Sequence, residues 1–271
     1  MKVAVIGAGA MGTAIAAGAA AAQPGRWSFS FYDPQAGAAK RAAAAVGGEV
    51  AASAEMAMCG ADIVLLAVKP QIQSRVLSTL PPLGGAALVS IAAGRTLAAI
   101  ETDLAAAGQR GAAVVRVMPN LNALVGKATS ALCASAATSE QQVDLVEALF
   151  DAVGTTQRIA EPLFPAFTAM AGSSPAWFFQ IVQDLARAGV KHGLTGAEAT
   201  SAACSAMLGS AAMLQDALSK GEGAASLIDR VCSPGGTTIA GLLAAQEAGL
   251  GSALVKAVDA TVARDAHVSG S

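Results

Sequence analysis

The stretch Lys2-Val3-Ala4-Val5-Ile6-Gly7-Ala8-Gly9-Ala10-Met11-Gly12 decides how the rest of the chain is read. Its first five positions predict a short buried strand over residues 2–6, and the small and apolar residues that follow predict a helix over 12–22. Between them lies G-x-G-x-x-G. The first glycine makes a tight turn, the second lets the backbone approach a pyrophosphate, and the third lets helix and strand pack closely. Unpaired amides at the helix start then hold the anion. Such a loop alone is weak evidence in a chain rich in Gly and Ala. Here a second apolar run over 27–32 ends in Asp33, an acid about 20 residues further on, as a dinucleotide site requires. Gly7, Ala8, Gly9, Ala10, Met11, Gly12 and Asp33 are therefore candidate cofactor residues. A carboxylate at Asp33 suits a ribose hydroxyl and repels a 2′-phosphate, which leans toward NAD. Lys40 and Arg41 could offset that repulsion, although they read first as a solvated helix face.

Outward from this loop, apolar runs at 63–68, 88–92 and 113–117 predict further strands, with a short one at 132–134, and helices are expected over 36–45 and 141–152. Strands alternating with helices imply an α/β fold with a Rossmann-type, doubly wound parallel sheet. After Glu161-Pro162 the strand-like runs stop. Helical patterns follow over 175–188, 196–220, 224–231, 237–248 and 251–268. The expected organisation is a dinucleotide-binding domain over 1–160 and an all-helical domain over 161–271.

The 271 residues suffice for two cores. A net charge of −2 offers no basic footprint for nucleic acid. Hydrophobic residues make up 54%, which raises the question of a membrane. Much of that share is alanine, however, and no run of about 18 strongly apolar residues occurs, so no spanning helix is expected. Lys2 and the small residues to Ala22 imitate a signal peptide, but glycines at 7, 9 and 12 suit a signal helix poorly. Cys59, Cys133, Cys204 and Cys232 form no C-x-x-C pair and have only His192 and His267 beside them, so no metal site is expected. They read as reduced thiols of a cytoplasmic protein.

Further motifs stand in a set order: Ala67-Val68-Lys69-Pro70-Gln71, Ser90-Ile91-Ala92-Ala93-Gly94, Arg116-Val117-Met118-Pro119-Asn120, Ala171-Gly172-Ser173-Ser174-Pro175-Ala176-Trp177, and Val231-Cys232-Ser233-Pro234-Gly235-Gly236-Thr237-Thr238. Taken together they resemble the pyrroline-5-carboxylate reductase family over essentially the whole chain. The Ser-Pro-Gly-Gly-Thr-Thr segment is the most family-specific part. The resemblance implies reduction of the cyclic imine 1-pyrroline-5-carboxylate to L-proline, the last step of proline biosynthesis, with NADPH or NADH as hydride donor. It implies a cofactor site using Ala8, Ala10 and Met11, then Ala67, Val68 and Lys69, then Ala92 and Ala93, with Asn120 near the nicotinamide ribose. Ser53, just before a predicted helix, faces the adenosine side or serves as a plain N-cap. The helical domain is implied to form a homodimer, open to further assembly.

Such a reduction needs a hydride on carbon and a proton on nitrogen, with no metal and no covalent nucleophile. Catalysis then rests on holding the nicotinamide about 3–3.5 Å from the imine carbon. The loop with Ser233, Gly235, Gly236, Thr237 and Thr238 reads as the cradle of the substrate carboxylate, its amides turned inward and backed by a helix start. By resemblance the Thr238 hydroxyl hydrogen-bonds the ring nitrogen, Gly172, Ser173 and Ser174 wall the substrate pocket, and Glu161 stands where some members carry an acid near the ligand nitrogen.

Three departures stand out. Asn122 replaces a usual Pro, Trp177 a usual Tyr, and 221–225 lacks a Pro often found before the Ser-Pro-Gly-Gly loop. Three rivals remain open. A paralogue could reduce another cyclic imine carboxylate. A β-hydroxyacid dehydrogenase shares the glycine loop, but needs a lysine on the first long helix of the second domain, and 175–188 has none; Lys191 lies beyond. The third is a nucleotide-sensing regulator without turnover.

Overall fold

The computed structural model describes residues 1–269. Five parallel neighbours build the middle of an eight-stranded sheet: β1 (Lys2–Ile6), β2 (Ser28–Tyr32), β4 (Ile63–Leu66), β5 (Ala87–Ser90) and β6 (Val114–Met118). The two-residue β3 (Glu49–Val50) joins one edge, and β7 (Ala128–Ala134) and β8 (Gly154–Arg158) the other, giving the order β3-β2-β1-β4-β5-β6-β7-β8. The apolar runs are buried on both faces. Val3 and Val5 pack on α1 (Ala10–Ala22), α2 (Ala36–Val46) and α6 (Glu140–Asp151), while Ala4 and Ile6 pack on α3 (Ala54–Met58), α4 (Pro70–Leu77) and α5 (Leu97–Ala106). This alternation is the period of a strand covered by helices on both sides.

Besides the unforeseen edge strand β3, two features of the sheet depart from expectation. β7 begins four residues earlier than the short strand foreseen and runs antiparallel to β6. The link between them, 119–127, holds one 3-10 turn, Leu121–Val125. Nine residues are too few for the crossover of a dozen or more that a parallel neighbour needs. β8, unforeseen because Gly154-Thr155-Thr156-Gln157-Arg158 is polar, then pairs parallel to β7 after the α6 crossover. Arg158 is gripped by Glu140, Asp144 and Glu147 of α6. α1 starts at Ala10, two residues before the expected position, because Gly9 is already its cap.

Two compact units result: Met1–Ser173 with the chain from Ala260 onward, and Ser174–Asp259. The sequence texture changes at 160, yet the first unit extends to Ser173. It does so because 161–173 stays anchored there by Phe164, fully buried, whose ring lies 4.2 Å beneath the Arg116 guanidinium. This segment is a 3-10 turn (Glu161–Leu163), α7 (Phe164–Phe167) and a π-helix (Thr168–Ser173).

The second unit contains α8 (Ser174–Lys191), α9 (Gly196–Ser219), α10 (Ala224–Val231), α11 (Thr237–Glu247) and the first half of α12 (Leu250–Ser269). A capping box at Thr195 and Glu198 starts α9. A Cβ on Gly189 would lie 2.9 Å from that of Ala199, so α8 and α9 pack closely. Large apolar residues are nevertheless exposed, among them Phe179 (65%) and Leu208 (72%). Among the described residues no single helix is long and apolar enough to cross a membrane; α11 and α12 reach that composition only as a pair bent by 49°.

Candidate active site

A cleft of about 1630 Å³ opens where β1, β2 and β4 end, the side on which open α/β sheets hold ligands. Gly7, Ala8, Gly9 and Ala10 line it. Gly7 sits at φ +98, and a Cβ there would meet the Ala67 carbonyl oxygen at 2.7 Å. A Cβ on Gly12 would lie 2.8 Å from the Cβ of Ala67, so this glycine lets α1 touch the end of β4. Gly9 has nothing within 4 Å, which leaves room for a phosphate to approach. It caps α1 without a side-chain hydrogen bond, and the first helical bond runs from Thr13 N to Gly9 O at 3.0 Å. The amides of Ala10, Met11 and Gly12 thus have no helical acceptor. This backbone fits the pyrophosphate of a dinucleotide.

Asp33 lines the same cleft, but its carboxylate is engaged. Oδ2 accepts from Ala8 N at 2.9 Å and Oδ1 from Gln35 N at 2.8 Å. The acid therefore fixes the glycine loop and keeps lone pairs for a ribose hydroxyl. Arg41 lines the cleft, whereas Lys40 does not. Ala67, Val68 and Lys69 line it as expected, joined by Arg75 and Ala54.

Six expected cofactor residues lie off this lining: Met11 and Gly12, which sit in the first turn of α1, and four that stand elsewhere. Ser53 caps α3, its Oγ accepting from Met56 N at 3.2 Å, which is the N-cap reading. Ala92 is buried, with its amide 3.4 Å from Ser90 Oγ, and Ala93 follows it off the lining. Ser90 belongs to a network that sequence reading missed. Gln73, fully buried, donates to Ser90 Oγ at 2.5 Å and accepts from Arg95 Nε at 3.0 Å, while Arg95 also pairs with Asp103. Asn120, only 5% exposed, spends its side chain on the protein. Nδ2 donates to Ala171 O at 2.9 Å, and Oδ1 accepts from Thr129 N at 3.2 Å.

Glu161, expected beside a ligand nitrogen, has its carboxylate engaged by the protein. Oε1 accepts from Arg116 Nη1 at 2.9 Å and from Leu97 N, in the first turn of α5, at 2.7 Å. The reason is Arg116, whose side chain is only 6% exposed and needs a counter-charge. One charged residue inside the apolar strand Val-Val-Arg-Val-Met was the signal available for this pair. The adjoining Cys133 thiol is pushed up to about 12, first by burial, then by Glu161, with Arg116 opposing.

The remaining expected residues fall in two places. Gly172 and Ser173 end the π-helix of the first unit, and a Cβ on Gly172 would lie 2.9 Å from Met118 Cε. Ser174, buried, begins α8. In the second unit Gly236 N donates to Ser233 O at 3.0 Å, and Gly235 takes φ +67. Gly236 then caps α11 without a side-chain bond, and Thr237 and Thr238 are exposed. The helix start has uncapped amides and a hydroxyl beside them, a combination suited to a carboxylate.

Known proteins resemble this chain along its whole length. Residues 161–268 match the family described as pyrroline-5-carboxylate reductase dimerisation, and residues 2–94 match NADP oxidoreductase coenzyme F420-dependent. A pyrroline-5-carboxylate reductase of Escherichia coli is 34% identical over 276 residues, covering 100% of this chain and 99% of its own. Its counterpart from Synechocystis is 37% identical over 206 residues, 75% of this chain and 73% of the relative. Among solved structures, 1-pyrroline-5-carboxylate reductase from Streptococcus pyogenes superposes with a TM-score of 0.85 at 32% identity, covering 98% of both chains.

Proposed function

The chain belongs to the pyrroline-5-carboxylate reductase family, and from that membership we infer that it reduces 1-pyrroline-5-carboxylate to L-proline with NADH or NADPH. The observation that carries the reading is the end-to-end match to the Escherichia coli relative, with the dinucleotide loop intact in sequence and geometry. When bound, the reduced nicotinamide supplies the hydride to the imine carbon. The chain's own work is to bind and to orient. The uncapped amides of α1 hold the pyrophosphate, and Asp33 keeps their loop in place while facing the ribose. Lys69 and Arg75 add positive charge at the cleft.

On the substrate side, Ser233, Gly235, Gly236 and the first amides of α11 cradle the carboxylate, and Gly172, Ser173 and Ser174 wall the ring. Thr238 Oγ1 hydrogen-bonds the ring nitrogen, where water or the already protonated imine provides the proton. Copies of the chain associate through the helical domain, which we assign to a homodimer. The reading extends to a cytoplasmic enzyme.

The test mixes purified protein with the imine and follows oxidation of NADH and NADPH separately, with proline identified as product. No oxidation with either cofactor would reject the assignment. Thr238→Ala should lower turnover about 10–100-fold while leaving cofactor binding nearly intact; unchanged turnover removes Thr238 from the mechanism.

A further inference from the structure

Three side chains from one strand and the loop after it meet the segment that carries Gly172 and Ser173. Arg116, Met118 and Asn120 are two residues apart on extended backbone (Asn120 φ −124, ψ 171), so they share a face. Arg116 holds the start of the segment through Glu161 and the Phe164 ring. Asn120 holds its end through Ala171 O at 2.9 Å. Met118 Cε fills the space that a Cβ on Gly172 would need, at 2.9 Å. The held segment finishes in a six-residue π-helix, a rare form concentrated at functional sites. Its wider turn changes the direction in which Gly172 and Ser173 face, compared with an α-helix.

We propose that Asn120 is a positioning residue. Acting through Ala171, it sets where Gly172 and Ser173 stand against the end of β6, and so shapes the imine pocket rather than gripping the cofactor. The amide is built for that task. It is buried, donates to the π-helix, and is itself steadied by Thr129 N of β7 at 3.2 Å. The proposal rests on the reaction assigned above and adds to it a residue that acts at one remove.

Asn120→Asp tests it. The change keeps an acceptor for Thr129 N and turns a carboxylate oxygen toward the Ala171 carbonyl. The expected result is a fall in kcat/KM for the imine of about tenfold, mostly in KM, since small misplacements of positioning groups are costly. The Kd for NADH or NADPH should stay within about twofold, and amide hydrogen exchange over 168–173 should quicken. Loss of cofactor affinity in step with kcat/KM, with exchange unchanged, would make Asn120 a cofactor ligand and overturn the proposal. A lower Tm with unchanged kinetics would overturn it too, leaving plain structural support.

A second pair of variants serves if the aspartate chain does not fold. Gly172→Ala should lower kcat/KM by pushing the segment off Met118. Met118→Leu, which lacks Cε, should restore most of it in the double variant. An unimpaired Gly172→Ala, or no rescue in the double, refutes the register. If the wild type turns over no imine, the assigned reaction fails separately. Exchange over 168–173 then decides whether Asn120 holds the segment, and unchanged exchange sinks the idea.

Discussion

A single methyl group added at Gly9 and, separately, at Gly12 should produce opposite signatures. In Gly12→Ala the new Cβ meets Ala67 Cβ at 2.8 Å, Gly7 O at 3.0 Å and Val5 Cγ1 at 3.3 Å, where ordinary contact begins at 3.4 Å. The start of α1 must move, and overpacking of this kind costs about 1–3 kcal/mol. Relief from a helical glycine returns up to about 1 kcal/mol. A mid-range net cost of about 1.5 kcal/mol, at about 2–4 °C per kcal/mol, lowers the cofactor-free Tm by about 3–6 °C. In Gly9→Ala the methyl enters open space, so only the weaker N-cap counts, about 1 kcal/mol at most. The pyrophosphate, however, loses its close approach. Losing two charge-assisted hydrogen bonds of about 1.5 kcal/mol each weakens binding about 100-fold. Thermal unfolding without cofactor, and fluorescence titration with NADH and NADPH, measure both quantities. Gly9→Ala binding within about threefold of wild type, or Gly12→Ala melting with wild type, would refute the assignment of the two glycines.

Further outcomes follow from neighbouring residues. Asp33→Ser, with Arg41 kept on the cleft, should move the ratio of kcat/KM values toward NADPH; a fixed ratio means that Asp33 does not face the ribose. Glu161→Gln should cost about 2–4 kcal/mol in denaturant unfolding, because Arg116 stays buried without its counter-charge; a cost under about 0.5 kcal/mol would show the pair to be idle. Burial raises the Cys133 thiol from 9.0 to about 12. The folded chain holds that proton more tightly than the unfolded chain. Its contribution to stability is therefore complete below about pH 9 and lost as pH rises toward 12. Cys133→Ala should flatten that alkaline loss, and an unchanged pH profile would discount the thiol.

The parts legible in the sequence are those whose physics is local. Gly7, Gly9 and Gly12 are three neighbours in a turn, Asp33 ends the adjoining strand, and the apolar runs of β1, β4, β5 and β6 are buried on both faces. What escaped is what distance along the chain hides. Asn120 and Ala171 are 51 positions apart, Arg116 and Glu161 45, and Gln73 and Ser90 17. A residue's type shows that it wants a partner, and only the fold says which. β8 escaped because an edge strand with Thr, Gln and Arg lacks the alternation that marks a half-buried strand. The antiparallel course of β7 was implicit in the short link 119–127, a length that becomes informative only once both strands are placed.

The sparse interior of the helical unit has a consequence for how the protein holds together. Along Ser174–Asp259 the buried residues are small, such as Ala186, Ala199 and Ala217, while Phe178, Leu208 and Met213 lie in water in the single chain. About 86 residues with so little apolar surface of their own withdrawn from solvent fall short of what an independent domain needs. Their folding equilibrium therefore includes a second molecule, and its constant carries units of concentration. Dilution should act on these helices as a denaturant does, lowering their melting temperature while the sheet persists. Mixing two variants should then yield hybrids whose stability reports on both parents.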